Sequence, residues 1–273
     1  MYDNVIKRFQ VFALQNGFRT TLPVPPKAIN WFVADMFNKN YSVATARCHL
    51  SALAYWMKIN GFVDATKSFQ VQQILKGFSK LQESSTIKLP LSMKQLEIMV
   101  ENVPRLGLSI NCCCLIRTML VVGFHLGLRI GEMTISGHNL SIEDISVLTG
   151  AIKVVFKSFK HSKAPSTHIV KSTHEALCPY KYLIKYLKGR AQTNGPLFLL
   201  GNKGVSSSFF TKVFKQLIII SGFDREKYSP HSLRMSAAVR WARKGFSDNQ
   251  IRLLGRWSSN AFKVYMKGNV FHN

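Results

Sequence analysis

Apolar residues recur at helical spacing along most of this chain, and one stretch departs from that pattern. Between residues 151 and 171 the apolar positions alternate with polar ones, which is typical of half-buried strands. The alternating positions are Ile152, Val154 and Phe156, and a second short run of this kind covers residues 167–170. The sequence therefore predicts a mainly α protein with a small antiparallel β-sheet.

The helical part falls into two regions separated by a polar break. Residues 83–90 (Glu-Ser-Ser-Thr-Ile-Lys-Leu-Pro) interrupt the periodicity, and we interpret them as a linker between two domains, residues 1–85 and 86–273. Before the break, helices are predicted at residues 5–14, 26–38, 43–59 and 70–81. After it, they are predicted at residues 93–103, 111–125, 179–190, 207–220, 230–245, 247–254 and 260–266.

The charge balance of the chain is strongly one-sided. The 273 residues include 37 Lys or Arg and 13 Asp or Glu, a formal net charge of +24. Glu175 is the only acid between Asp144 and Asp224, an interval that contains twelve Lys or Arg. Because a solvated surface usually mixes signs, this bias predicts a phosphate-binding face, with double-stranded DNA as the partner.

The sequence gives less support to a membrane, a metal ion or another cofactor as a partner. Membrane attachment would need a basic amphipathic helix, a lipidation signal or an apolar run of roughly 18 residues, and we find none of these. The chain has five cysteines, of which residues 112–114 are adjacent in an apolar stretch, and it has no Cys-x-x-Cys pair. We therefore expect no membrane association, reduced and buried cysteines in a reducing compartment, and neither metal nor cofactor.

The C-terminal region carries a closely spaced set of cationic, indole and phenol side chains. His231 and Arg234 are three residues apart, which places them on one face of a predicted helix. Gly255 ends the next predicted helix, and Trp257 and then Tyr265 follow it. Taken singly, these residues also fit an ordinary polar helix face and a core or surface tyrosine.

A second block of polar residues lies upstream. Gly127 ends a predicted helix, because glycine tolerates the left-handed conformation of a helix C-terminus. Arg129 follows in a turn, and Glu132 comes three residues later. Between the two blocks, Lys160 lies in the basic connection of the predicted hairpin, residues 157–165.

Together these side chains suit cleavage of a phosphodiester without a metal ion. Negative charge builds on the non-bridging oxygens, and Arg129 and Arg234 could each bind such oxygens through two N–H groups. The Trp257 indole is only a donor, so it could contact the phosphate without exchanging protons. A phenol has a pKa near 10, and we expect the nearby cations to favour the phenolate of Tyr265.

The order of these residues resembles the tyrosine recombinase (phage integrase) family over roughly the whole chain. The resemblance implies the catalytic residues Arg129, Lys160, His231, Arg234, Trp257 and Tyr265, with Tyr265 as the nucleophile. It also implies that Glu132 supports the arginines and that Lys160 protonates the departing 5′ oxygen. The fold it implies is a C-shaped clamp, with a helical core-binding (DNA-binding) domain, residues 1–85, and a catalytic domain, residues 86–273.

One detail of the motifs makes the resemblance more specific, and two others differ from the usual pattern of the family. His-Ser-Leu-Arg followed by Leu-Gly-Arg-Trp-Ser-Ser is closest to eukaryotic mobile-element recombinases of the DIRS, Ngaro and Crypton groups. Many members have histidine where Trp257 stands. The family often places its lysine in Ser-Lys-Thr, whereas Lys160 is flanked by phenylalanine and histidine, so Lys157 and Lys163 remain alternatives.

We therefore expect a site-specific DNA recombinase of a mobile element that acts through a 3′-phosphotyrosyl intermediate. Further DNA contacts are expected from Arg47, Lys58, Lys157, Lys163 and Arg256. The resemblance implies a homodimer on DNA, a homotetramer in the synaptic complex, and a nuclear location in a eukaryotic host or otherwise a cytoplasmic one with the DNA. The alternatives are a type IB topoisomerase-like enzyme and a non-catalytic DNA-binding protein that retains the fold.

Overall fold

Helices dominate the computed structural model, which describes residues 2–82, 87–136, 138–157, 165–190 and 192–266. The chain divides into two compact units, residues 1–85 and residues 86–273. The described helices and small antiparallel sheets confirm the predicted fold class, mainly α with a little antiparallel β-structure. No helix in these ranges is both long and apolar enough to cross a membrane.

The described residues of the N-terminal unit form four α-helices: α1 (Tyr2–Gln15), α2 (Pro26–Asn38), α3 (Val43–Ile59) and α4 (Phe69–Leu81). α2 and α3 begin and end at the predicted residues. Proline at the first position starts α2, and the Ser42 hydroxyl caps α3 by accepting from the Thr45 amide at 3.0 Å. Three phenylalanine rings, Phe9, Phe12 and Phe32, pack against one another in the core of this unit.

The described residues of the second unit form seven further α-helices. They are α5 (Met93–Asn102), α6 (Ile110–Leu126), α7 (Ile130–Met133), α8 (Pro179–Lys188), α9 (Ser207–Ile220), α10 (His231–Arg243) and α11 (Asp248–Gly255). α6 is buried on nearly all sides, because apolar residues occupy its whole circumference, and it packs against α8 and α10. The segment predicted as a last α-helix is a 3-10 helix, Asn260–Tyr265. The five cysteines are free. Burial is predicted for all five, but Cys48 is exposed and Cys114 is half-buried.

Three strands form an antiparallel sheet in the order β1 (Ile145–Leu148), β2 (Ala151–Phe156) and β3 (Ser166–Lys171). β2 and β3 are the predicted hairpin, and the alternating residues Ile152, Val154 and Phe156 are buried, as their spacing indicates. β1 was not predicted from the sequence, and neither was a second, two-stranded sheet of β4 (Leu199–Leu200) and β5 (Lys203–Gly204). These strands are too short for a clear alternation.

His125, near the C-terminal end of α6, is buried with one ring nitrogen unsatisfied. Its Nδ1 lies 2.9 Å from the Val121 carbonyl oxygen, and its buried Nε2 has no hydrogen-bond partner among the described residues. Burial, and then the charge of Arg240, lower the pKa of His125 from 6.5 to about 4. The imidazole is therefore neutral in the folded protein at neutral pH.

We expect this burial to make the protein sensitive to acid. Below pH 6.5 the unfolded chain binds a proton at His125, but the folded chain does so only near pH 4, so stability is full above pH 6.5 and is lost as the pH falls. The loss is about 1.4 kcal/mol per pH unit, or about 2 kcal/mol at pH 5. His125→Leu should abolish this part of the loss in urea denaturation at pH 7 and pH 5. An equal loss in the variant would contradict it.

Candidate active site

Arg129 follows the C-terminal end of α6 and immediately precedes α7. Gly127 ends α6 in the left-handed conformation, with φ +57°. A Cβ on this glycine would lie 3.0 Å from the Cβ of Ala237 and 3.1 Å from the Trp241 ring, both on α10. The turn therefore needs glycine for its φ and for the close approach of α10, the helix that also carries Arg234.

Glu132 is a buried carboxylate that holds Arg129. Its Oε1 accepts from Nη1 of Arg129 at 2.9 Å, and its Oε2 accepts from the Arg129 backbone N–H at 2.9 Å. The same carboxylate pairs with Arg256, with 2.8 Å between Oε2 and Nη2. Burial alone would raise the pKa of Glu132, but Arg256 and the hydrogen bonds hold it below its usual value. The carboxylate is therefore charged, and its contacts are those expected of a residue that supports Arg129.

The prediction that Arg256 binds DNA is wrong, because its side chain is fully buried and each of its three guanidinium nitrogens is hydrogen-bonded within the fold. The residue ends α11 in a left-handed conformation with φ +55°. Besides its pair with Glu132, the guanidinium donates to the carbonyl oxygens of Leu254 at 3.0 Å and Gly127 at 3.3 Å. Arg256 therefore holds the framework of the site and has no access to DNA.

Arg234 is also buried, at 1% exposure, and bridges two helix ends. Its Nη1 donates to the Gly127 carbonyl oxygen at 2.5 Å and its Nη2 donates to the carbonyl oxygen of Gly255. Burial, and then the neighbouring charges of Arg129 and Arg256, lower the pKa of Arg234 to about 9. A guanidinium has five N–H donors, so two bonds to carbonyls leave three for a phosphate.

Trp257 lies directly over the end of α11. A Cβ on Gly255 would fall 1.5 Å from the indole ring, so the indole can lie here only because residue 255 is glycine. The indole ring stacks on Arg234, whose guanidinium carbon is 4.1 Å from the ring centroid. Its centroid is 6.4 Å from that of Tyr265. The indole therefore sits between the predicted nucleophile and one of the two predicted phosphate-binding arginines.

Tyr265 and His231 form a direct hydrogen bond. The Tyr265 hydroxyl is 2.9 Å from Nε2 of His231. Burial, then Arg234 and Arg129, lower the pKa of His231, so the imidazole is neutral and its Nε2 can accept the phenolic proton. Burial raises the pKa of Tyr265 above 10, although Arg234, Arg129 and a hydrogen bond from Trp257 act in the opposite direction. The cations therefore favour the phenolate, as expected, but burial outweighs them in the unbound protein, so the net pKa of Tyr265 is raised.

The structure thus brings together the predicted residues of both sequence blocks, Arg129, Glu132, His231, Arg234, Trp257 and Tyr265. Lys160 and Lys163 lie outside the described residues. Lys157 directly follows β2, and its Nζ is 2.7 Å from the buried carboxylate of Asp144. This hydrogen bond raises the pKa of Lys157, which makes it a weaker acid than a free lysine.

The remaining predicted DNA contacts lie in the N-terminal unit. Arg47 and Lys58 are exposed on α3, and Lys58 pairs with Asp64 at 3.1 Å. In the described part of the chain, no group of three His, Cys, Asp or Glu side chains is placed to hold a metal ion. Sequence reasoning missed Phe156 and His168 as neighbours of Arg256. The only signal for them is their inward position in the alternating strands.

Comparisons with known proteins identify the family. The model of the phage integrase family matches residues 91–269. Tyrosine recombinase XerD of Proteus mirabilis is 28% identical over 155 residues, 55% of this chain and 46% of XerD. The match therefore spans less than half the length of that relative. Because the family model covers more than half of the chain and includes the whole described site, the chain belongs to the phage integrase (tyrosine recombinase) family.

Solved structures agree with this at the level of the fold. The XerH site-specific recombinase bound to a palindromic difH substrate, in a post-cleavage complex, has a TM-score of 0.70 at 18% identity. The match covers 98% of this chain and 76% of that one. A lambda integrase dimer bound to a COC′ core site has a TM-score of 0.65 at 15% identity, over 99% of this chain and 73% of that one.

Proposed function

We propose that this protein is a site-specific DNA recombinase that cleaves and rejoins strands through a 3′-phosphotyrosyl intermediate. The observation that carries the proposal is the hydrogen bond of 2.9 Å between the Tyr265 hydroxyl and a neutral His231. It gives the nucleophile a proton acceptor beside two arginines. The Tyr265 oxygen attacks the scissile phosphorus as its proton passes to Nε2 of His231, and the bond from phosphorus to the 5′ oxygen breaks.

The charge of the site favours a phosphodiester as its ligand. Three guanidinium groups, those of Arg129, Arg234 and Arg256, lie close together. Burial, and then the charges of Arg129 and Arg256, lower the pKa of Arg234, so this cluster has an electrostatic cost in the unbound protein. Among the described residues, Glu132 is the only carboxylate that forms an ion pair with any of them. A bound phosphate anion relieves this repulsion, and the relief increases as negative charge builds up in the transition state.

The departing 5′ oxygen needs a proton, and we assign its transfer to Lys160. The described lysine of the connection, Lys157, is held by Asp144 and has a raised pKa, which supports a donor further along the connection. The phosphotyrosyl bond conserves the energy of the broken linkage, so rejoining to a second 5′-hydroxyl requires no ATP. Synapsis of two duplexes before cleavage would separate a recombinase from a type IB topoisomerase, which acts on one.

The biological setting is also part of the proposal. The motif of Leu254 to Ser259 and the His-Ser-Leu-Arg motif support a mobile-element enzyme of the DIRS, Ngaro and Crypton type. Such an enzyme would assemble as a dimer on each DNA site and as a tetramer at synapsis. It would act in the nucleus of a eukaryotic host.

Lys160→Ala should cleave an ordinary suicide substrate poorly and a substrate with sulfur in place of the 5′-bridging oxygen well. Sulfur leaves without a proton, so it bypasses the general acid. Single-turnover cleavage of the two substrates by Lys160→Ala, Lys157→Ala and Lys163→Ala makes the measurement. Rescue confined to Lys157→Ala or Lys163→Ala would transfer the role to that lysine.

DNA binding should depend steeply on salt and require both units. If the two basic units contact about ten phosphates, the log–log salt slope is near −9. Residues 88–273 alone should bind more weakly and with a shallower slope, because they lack the contacts of Arg47 and Lys58. Gel-shift titrations from low to high salt compare the two proteins. Equal affinities and slopes would contradict a clamp in which residues 1–85 bind DNA.

A further inference from the structure

The buried Arg256 side chain joins two parts of the site that are far apart in sequence. On one side its Nε and Nη2 lie 3.3 Å and 2.8 Å from the carboxylate oxygens of Glu132, which holds Arg129. On the other, its guanidinium carbon lies 3.8 Å from the centroid of the Phe156 ring, and its Nη1 lies 3.4 Å from Nε2 of His168. One side chain therefore spans from α7 to β2 and β3.

The contacts on the sheet side lie where β2 ends and the predicted connection that carries Lys160 begins, a point that we call the root of the hairpin connection. Phe156 is the last residue of β2, Lys157 follows it directly, and Lys160 comes three residues later. His168 is on β3, opposite Val154 of β2, and its ring packs edge-on against Phe156 with 5.1 Å between centroids. Burial, and then Arg256, lower the pKa of His168 to about 4, so its neutral ring can accept from the guanidinium.

A lysine could not make the same set of contacts. The guanidinium is planar, so it can stack its face on a phenyl ring while its edge binds a carboxylate through two N–H groups. An ammonium group is compact, so it could pair with the carboxylate but could not also contact the phenyl ring and the imidazole. A buried arginine–glutamate pair adds little net stability, because the cost of removing both charges from water offsets their attraction. The contribution of such a pair is then to hold its neighbours in a fixed position.

We propose that Arg256 is a positioning residue for strand cleavage, which through Glu132 orients Arg129 and through Phe156 and His168 fixes the root of the hairpin connection that carries Lys160. The inference rests on the proposed function for its catalytic part. It assigns Arg256 no contact with DNA.

Two variants test the contacts of Arg256 with Glu132 and with the sheet separately, and a third serves as a control. Arg256→Lys retains the charge beside Glu132 and loses the stacked plane. Phe156→Leu removes the ring and leaves the Glu132 pair intact. Arg225→Lys changes an exposed arginine whose ion pair, among the described residues, is with the exposed Glu226, so it should behave as wild type. Thermal denaturation of all three establishes the temperature at which each is folded.

The first readout is amide hydrogen exchange and does not depend on activity. In Arg256→Lys and Phe156→Leu, exchange in β2 and β3 should be about tenfold faster or more, with α1 to α4 unchanged. The second readout is single-turnover cleavage of the oxygen and 5′-bridging sulfur substrates. Phe156→Leu should lose about tenfold with oxygen and recover nearly all of it with sulfur, the pattern also expected of Lys160→Ala. Arg256→Lys should lose on the order of a hundredfold and recover only part, because Arg129 is misplaced as well.

The outcomes distinguish this inference from the proposed function. Unchanged exchange in β2 and β3, or equal losses on the oxygen and sulfur substrates, would overturn the positioning role. If wild type forms no covalent adduct with either substrate, the proposed function fails, and the exchange data alone decide whether Arg256 fixes the hairpin root.

Discussion

Tyr265→Phe should abolish covalent attachment to DNA while duplex binding stays within about twofold of wild type. The change removes the attacking oxygen and its 2.9 Å hydrogen bond to His231, and it keeps the ring that packs beside Trp257. Denaturing gels of a nicked suicide substrate measure the adduct, and gel shifts measure binding.

Tyr228→Phe is the matched control for this experiment. Tyr228 is buried at 9% exposure, and its hydroxyl accepts from Nε2 of Gln95 at 2.8 Å. Its loss should leave the adduct intact. An adduct that persists in Tyr265→Phe and disappears in Tyr228→Phe would show that the nucleophile is assigned to the wrong residue.

Arg129→Lys and Arg234→Lys should each retain the charge and lose cleavage by on the order of a hundredfold, about 3 kcal/mol in the transition state. A lysine offers a point charge in place of a planar fork, so one phosphate oxygen loses its donor. Arg129 is the cleaner test, because its side chain is 21% exposed, whereas that of Arg234 is buried and stacks on Trp257. Single-turnover rates at saturating protein separate the chemical step from binding.

Arg234→Lys needs a folding control, because this buried side chain also bridges the carbonyl oxygens of Gly127 and Gly255. We expect a lower Tm in this variant and not in Arg129→Lys. Arg105→Lys, at an exposed arginine bonded to Asn102, should retain the wild-type rate and Tm. Rates near wild type in both Arg129→Lys and Arg234→Lys would contradict the proposal that these arginines bind the scissile phosphate.

Local signals in the sequence were sufficient for most of the fold. Ser42 and the glycine that follows Asn60 mark the ends of α3, since capping depends on residues within one helical turn. The alternation in β2 identifies the hairpin, because inward and outward positions differ in polarity. Gly127 and Gly255 mark the turns that carry Arg129 and Trp257. The assignment of the site residues as a set came from their resemblance to the family.

What the sequence could not show depends on contacts between distant residues. Arg256 looks like a surface cation, and its burial follows from a partner, Glu132, that lies 124 residues away. The raised pKa of Tyr265 likewise follows from burial by elements packed around it, whereas the sequence indicates only that cations are near. The contacts of Phe156 and His168 with Arg256 require the sheet to meet the end of α11, which no local pattern predicts.

The most direct test of the central claim is to identify the residue that carries DNA after cleavage. The protein is incubated with a nicked duplex selected from random sequences for binding and cleavage, the adduct is digested with a protease and a nuclease, and the peptides are analysed by mass spectrometry. We predict a nucleotide linked through its 3′ phosphate to Tyr265, in a peptide from the C-terminal region. A linkage to another residue, a 5′ linkage, or cleavage with no covalent peptide would contradict the proposed mechanism.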